Sequence, residues 1–307
     1  MSDELKFLSM PNAPVETADI LILPVPFERD GAFKPGTDRA PAAILAAADR
    51  LEFFEEDAGW SPFKHMTCRV LPAATDDRAV PPGNWHDALA SHIRRMPTQN
   101  LLVTLGGDHS LTPTVTAARM PEPGTVLYLD AHGDLRASYR GNPYNHACSA
   151  FRLLEQGHQL VMAGTRSVCE AEVELIARDR RVTLFMDWDL RGQGQWDSFL
   201  EKIRSLKGPL YLSIDLDVFS PSLVPGVTHP QPGGFSWYQM IETLEALFSR
   251  PKLDLRGVDL VEMVPEPSRV SEMVGAKLLL KIISFWGKAH RMDRRPLTGS
   301  QLQVAYE

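Results

Sequence analysis

The sequence predicts a three-layer α/β/α fold with a mainly parallel central sheet. Short apolar runs rich in Val, Ile and Leu alternate with amphipathic stretches along all 307 residues. The apolar runs are near-continuous, as expected of strands covered on both faces. Their alternation with helical patterns predicts a parallel sheet between two helical layers.

In chain order, the first strand is read in ADILILPVPF (18–27). Pro41 after Ala40 suits the first turn of a helix, where its missing N–H is no loss, so a helix is expected over APAAILAAADRLEFF (40–54). A second amphipathic stretch, WHDALASHIRRM (85–96), precedes strands in NLLVTLGG (100–107), GTVLYLDAH (124–132) and QLVMAGTR (159–166). Helix EAEVELIARD (170–179) then leads to strand RVTLFMD (181–187), and helix WDSFLEKIRSL (196–206) to strand PLYLSIDLDVF (209–219). Helix WYQMIETLEALFSR (237–250), strand DLRGVDLVEMVP (254–265) and helix RVSEMVGAKLLLKIISFWGKA (269–289) complete the series. The Pro- and Gly-rich piece SPSLVPGVTHPQPGG (220–234) follows a strand and precedes a helix, which marks it as a functional loop. No repeat or linker divides the chain, so residues 1–307 read as one domain.

Composition narrows the function. With 44% hydrophobic and 23% charged residues there is ample material for a core. A net charge of −7 disfavours nucleic acid and anionic membranes as partners and favours a cationic small molecule. The opening MSDELKFLSM lacks the basic-then-apolar order of a signal peptide, and no apolar run reaches membrane-spanning length. Cys68, Cys148 and Cys169 are odd in number and form no CxxC pair, which supports neither a disulfide framework nor a thiolate zinc site. A cytoplasmic protein is expected.

The segment VLYLDAHGDLR (126–136) ends an apolar run with Asp130, His132 and Asp134 at every second position. In extended chain these point the same way, and converging carboxylates call for a cation. Three further motifs fall at strand ends, where open α/β sheets bind their ligands. LGGDHS supplies His109 after Gly106 and Gly107, a pair that lets backbone pass close to a ligand. SIDLD supplies Asp215 and Asp217, and GVDLVEMVP supplies Glu262. Any one of these has a bland reading, GGDH as a turn and DxD as a helix cap. Together, two imidazoles and an oxygen-rich set suit a divalent ion, Mn²⁺ more naturally than structural zinc. Asp130, Asp134, Asp215 and Asp217 sum to −4, which two divalent ions neutralise and one does not. Two ions about 3.5 Å apart would also activate a shared water.

The motifs GGDHS, DAHGDLR, SIDLDVFSP with PGVTHPQPGG, and GVDLVEMVP resemble, in that order, the signatures of the ureohydrolase (arginase/agmatinase) family. GAFKPGTDRAPAAIL is similar to that family's N-terminal segment. The resemblance implies an arginase-like α/β/α fold, two Mn²⁺ per subunit, assembly as a homo-oligomer (trimer or hexamer), and hydrolysis of a guanidino group to urea and an amine. It implies His109 and Asp134 as ligands of one ion, His132 and Asp217 as ligands of the other, and Asp130 and Asp215 as ligands of both. It further implies that Asp134 passes a proton to the leaving nitrogen, that Glu262 pairs with the guanidinium, and that His146, in YNHACSAFR, lies near the substrate tail and proton path.

Some positions depart from the family pattern. Ala40 replaces a usual Gly, Leu45 a frequent Arg and Ser220 a usual Asp, and Val227, His229 and Gln231 alter the loop that often reads PGTGTPEPGG. Cys169, in GTRSVCEAE, stands where arginases carry an Asp for the substrate's α-amino group. Agmatine, converted to putrescine, is therefore expected over arginine, with formiminoglutamate or a guanidino acid as alternatives. A non-catalytic member of the fold is disfavoured because all six ligands are present.

Overall fold

The computed structural model describes residues 4–29, 33–74, 80–251 and 253–297. Gly31 and Ala32 of the N-terminal motif, and Met1 to Asp3, lie outside the described residues. Eight strands form one sheet: β1 (Ile20–Val25), β2 (Cys68–Val70), β3 (Leu101–Gly106), β4 (Thr125–Leu129), β5 (Gln159–Thr165), β6 (Val182–Met186), β7 (Leu210–Asp215) and β8 (Leu255–Val261). They lie in the order β2-β1-β3-β8-β7-β4-β5-β6, and every pairing is parallel. The helices are α1 (Ala40–Ala48), α2 (Pro82–Arg94), α3 (Thr112–Arg119), α4 (Ser149–Glu155), α5 (Glu170–Arg178), α6 (Gln193–Ser205), α7 (Trp237–Phe248) and α8 (Val270–Ala289).

The strand pleat divides the apolar residues between two cores. Ile20, Ile22, Val103, Leu105, Leu127, Leu129, Leu212 and Ile214 pack with residues of α1, α6, α7 and α8. Their neighbours Leu21, Leu23, Leu102, Val126, Tyr128 and Tyr211 pack with residues of α2, α3 and α4. Burial on both faces explains the near-continuous apolar runs. Ala40 and Leu45, which depart from the family pattern, are buried in the first of these cores. The buried Lys281 of α8 meets Glu55 and Asp57, so that acidic cluster is answered from within the protein.

All observed strands but β2 fall within the predicted runs, with two corrections that bear on the site. The regular strand in GTVLYLDAH stops at Leu129, three residues before the expected end, although His132 still bridges in parallel to Ser167. Asp134 has φ +50°, in the left-handed region, so the third of the set lies off the extended course. Likewise β7 ends at Asp215, and Leu216–Val218 forms a 3-10 turn that carries Asp217. Gly107 is needed for a different reason from the one expected: a Cβ there would lie 1.8 Å from the Phe27 carbonyl oxygen, so its neighbour is backbone. Three elements went unread. β2 has three residues and α4 seven, too short for periodicity, and α3 (TPTVTAAR) is rich in β-branched residues with low helix preference. α1 stops at Ala48, six residues before the end of the expected stretch.

Candidate metal centre

The four central strands β3, β8, β7 and β4 are neighbours, and each delivers part of one buried group at its carboxyl end. After β3 comes His109, after β8 Glu262, at the tip of β7 Asp215 with Asp217 beyond it, and after β4 Asp130, His132 and Asp134. All the acidic members are buried. Asp130 lies between the two imidazoles, with Oδ2 3.0 Å from His109 Nδ1 and Oδ1 3.5 Å from His132 Nδ1. His109 Nδ1 also stands 3.3 Å from Asp215 Oδ2 and 3.6 Å from Asp134 Oδ2. His132 Nδ1 is 2.9 Å from Asp217 Oδ2. His109, Asp130 and Asp134 form one cluster able to hold a cation, and Asp130, His132 and Asp217 another.

Supporting hydrogen bonds aim these groups. Ser213 donates to Asp259 Oδ1 at 2.7 Å, so its oxygen accepts from His109 Nε2 at 2.9 Å and His109 Nδ1 faces the carboxylates. Asp259 accepts again from the Tyr211 hydroxyl at 2.8 Å. Asp130 Oδ1 accepts from the His132 amide, Asp215 Oδ1 from the Asp217 amide, and Asp217 Oδ1 from the Ala131 amide, at 2.6, 2.8 and 3.0 Å. Glu262, at φ +65°, accepts from the His109 amide at 2.6 Å and from the Thr228 hydroxyl. Two of the site's carboxylates thus sit on left-handed backbone, where strain is tolerated when the surroundings hold it.

Charge shows what the group would accept. Burial and the neighbouring Asp130 push the Asp134 carboxyl well above its usual range, and burial with Asp217 and Asp130 does the same to Asp215. Burial works against a charged imidazole at position 132, yet Asp217 and Asp130 overcome it and raise His132 to about 12. His109 is likewise held well above its ordinary value, against burial, by Asp130 and Asp215. With protein atoms alone, protons must therefore supply the positive charge. Asp130 Oδ2 is buried and faces His109 Nδ1 at 3.0 Å, an oxygen placed to take a cation beside a ring nitrogen. Two imidazoles and four carboxylates fit two divalent ions in donor type and in charge.

The mouth is lined by residues of the altered loop. The His229 ring lies 5.2 Å from that of His146 and 6.0 Å from that of His132, and Gln231 Nε2 is 3.5 Å from His132 Nε2. Burial and the neighbouring His146 and His132 lower His229 to about 4. His146 opens the 3-10 turn before α4, close enough to Asp108 and Glu262 for its charge to act on both. Val227 is buried and bridges to Met263, whereas the Ser220 hydroxyl bonds to Ser222. Cys169 caps α5, its N–H donating to Glu172 Oε2 at 2.7 Å, and supplies no carboxylate. Sequence reasoning passed over Tyr128, Thr228, Glu172, Ser213 and Asp259. A buried Asp inside the apolar run GVDLV was the one visible signal among them.

The fold and the site together define a hydrolase of linear amidines. The arginase family model matches residues 18–284, and the chain belongs to that family. It is 33% identical to the N(1)-aminopropylagmatine ureohydrolase of Synechocystis over 89% of this chain and 91% of that protein. It is 32% identical to the agmatinase of Pyrococcus horikoshii, over 91% and 95% of the two chains. The crystal structure of the agmatine ureohydrolase of Thermoplasma volcanium superposes with a TM-score of 0.79 at 25% identity, covering 96% of this chain and 97% of that one. The chain is thus an enzyme that cleaves an amidino C–N bond, of a family that depends on a binuclear metal centre.

Proposed function

We propose that the enzyme hydrolyses a guanidino amine without an α-amino acid head, agmatine or its N(1)-aminopropyl derivative, to urea and an amine, using two manganese ions. The observation that carries the metal reading is Asp130, with one oxygen toward each imidazole. His109 and Asp134 would hold one ion, His132 and Asp217 the other, and Asp130 and Asp215 would contribute to both. Such a pair, when bound, supplies the Lewis acidity that makes water a nucleophile at neutral pH. No helix among the described residues is long and apolar enough to cross a membrane. The same proposal includes assembly as a trimer or hexamer, which light scattering on the eluting protein would check.

The chain's own residues bind the substrate and move the proton. Glu262, anchored by the His109 amide and Thr228, meets the guanidinium with a charge-assisted pair and fixes its orientation. Asp134 takes a proton from the attacking water and delivers it to the nitrogen that leaves as the amine, so the C–N bond breaks as that N–H forms. His146 attends the tail and the proton path. His229, neutral at neutral pH, lets a cationic tail pass without repulsion.

The tail preference rests on Cys169. A thiol is a weak hydrogen-bond partner, and losing a charged hydrogen bond to an α-ammonium costs about 1.5–3 kcal/mol, or about one to two powers of ten in specificity. The test is kcat/KM for agmatine, N(1)-aminopropylagmatine, arginine, formiminoglutamate and guanidinobutyrate with manganese-loaded enzyme. One of the first two should lead arginine by at least about tenfold. Arginine leading, or no turnover of either guanidino amine, would overturn the assignment.

A further inference from the structure

Tyr128 lies two residues before Asp130 in β4, fully buried, on the sheet face that also carries Tyr211. Its ring stacks on that of His109, with centroids 4.6 Å apart and planes within 3° of parallel. Its hydroxyl donates to Asp134 Oδ2 at 2.8 Å and lies 3.1 Å from His109 Nδ1. A phenol has one proton to donate, and here the carboxylate receives it. Asp134 stands beyond the strand on left-handed backbone, so no pleat aims its side chain. One side chain therefore touches two members of the His109, Asp130 and Asp134 cluster and neither His132 nor Asp217.

We infer that Tyr128 is a positioning residue for one half of the metal centre: its ring sets the plane of the His109 imidazole, and its hydroxyl fixes which Asp134 oxygen faces the ion. This rests on the reading of His109 and Asp134 as ligands of one ion and His132 and Asp217 as ligands of the other. Removing the hydroxyl frees the Asp134 carboxylate to rotate and leaves the His132 half untouched. The two ions should then respond unequally to one atom.

The test is Tyr128→Phe in the full chain, stripped with chelator and titrated with Mn²⁺ by calorimetry, with steady-state kinetics at saturating manganese. Phe keeps the ring and its stacking and removes only the hydroxyl. One manganese affinity should fall about 10–100-fold, as is usual for losing a group that supports a ligand, while the other stays within about threefold of wild type. At saturating manganese, kcat should fall with KM little changed, because Asp134 acts on the proton and not on substrate binding. Both affinities unchanged, or both lowered equally, would overturn the inference. If the Phe variant fails to fold, p-aminophenylalanine at position 128 restores a donor at the same place. Wild-type affinities would then support the inference, and a tenfold loss in this folded variant would overturn it. Wild-type protein that binds no pair of manganese ions would instead sink the metal reading itself, whatever the variants do.

Discussion

Asp130 and Glu262 are both buried carboxylates that contact His109, yet only Asp130 has an imidazole nitrogen on each side. Their lesions should differ in kind. Asp130→Asn and Asp215→Asn are expected to lose manganese and turnover together. Glu262→Gln should keep its manganese and lose kcat/KM by about one to two powers of ten, the value of a charged hydrogen bond. Metal analysis beside kinetics checks this, and manganese lost from Glu262→Gln but kept in Asp130→Asn would reverse the roles. His86 offers a test away from the centre. Burial and the nearby Arg29 lower it from an ordinary 6.5 to about 4, so the folded protein refuses a proton that the unfolded chain accepts. Its contribution is intact above pH 6.5 and is lost as pH falls toward 4, by up to about 3 kcal/mol at roughly 1.36 kcal/mol per pH unit. Denaturant unfolding of wild type and His86→Gln across that range should show wild type losing its advantage by such an amount. The six residues proposed to hold the ions were legible because they fall in three short motifs. Tyr128, Thr228 and Glu172 were not, since a lone Tyr, Thr or Glu carries no signal until the fold places it against Asp134, Glu262 or the Leu135 amide.

Between elements, the approach of β3's exit to the chain after β1 sets where His109 sits. Gly107 is hydrogen-bonded to Val25, and Asp108 to Phe27, at 2.9 and 2.8 Å. A methyl at position 107 would meet the Phe27 backbone, which cannot step aside as a flexible side chain can. Gly107→Ala is therefore expected to lower stability by about 2–3 kcal/mol, near the upper end for overpacking, and to weaken manganese binding as His109 shifts. Thermal melts with and without metal would check both effects, and a variant with wild-type melting and affinity would contradict the close approach. The sheet was readable because double-sided burial makes strands apolar throughout. The ends of β4 and β7 were not, because Asp130 and Asp217 continue the period-two pattern past the last residue of each regular strand. The left-handed turn at Asp134 has no glycine to announce it.

At the scale of the whole molecule, the negative cluster links stability to metal and pH. Without a cation, Asp134, Asp215, His109 and His132 all hold protons more tightly than usual. Metal must displace those protons, so its affinity should rise with pH and its binding should release acid. The gap in Tm between manganese-saturated and chelator-stripped protein should widen from pH 6 to pH 8, because an ion bound only by the folded state stabilises it by mass action. A gap that does not change with pH would mean that the ions do not compete for these groups.

The most direct single measurement is a manganese titration of the chelator-stripped enzyme, following urea release from agmatine and N(1)-aminopropylagmatine beside bound metal per chain. Activity with at least one of the two substrates should be absent at the start and should approach its maximum as bound manganese approaches two per chain. Full activity in the stripped protein, or a maximum reached at one ion per chain, would contradict a centre in which Asp130 and Asp215 hold two ions between His109 and His132.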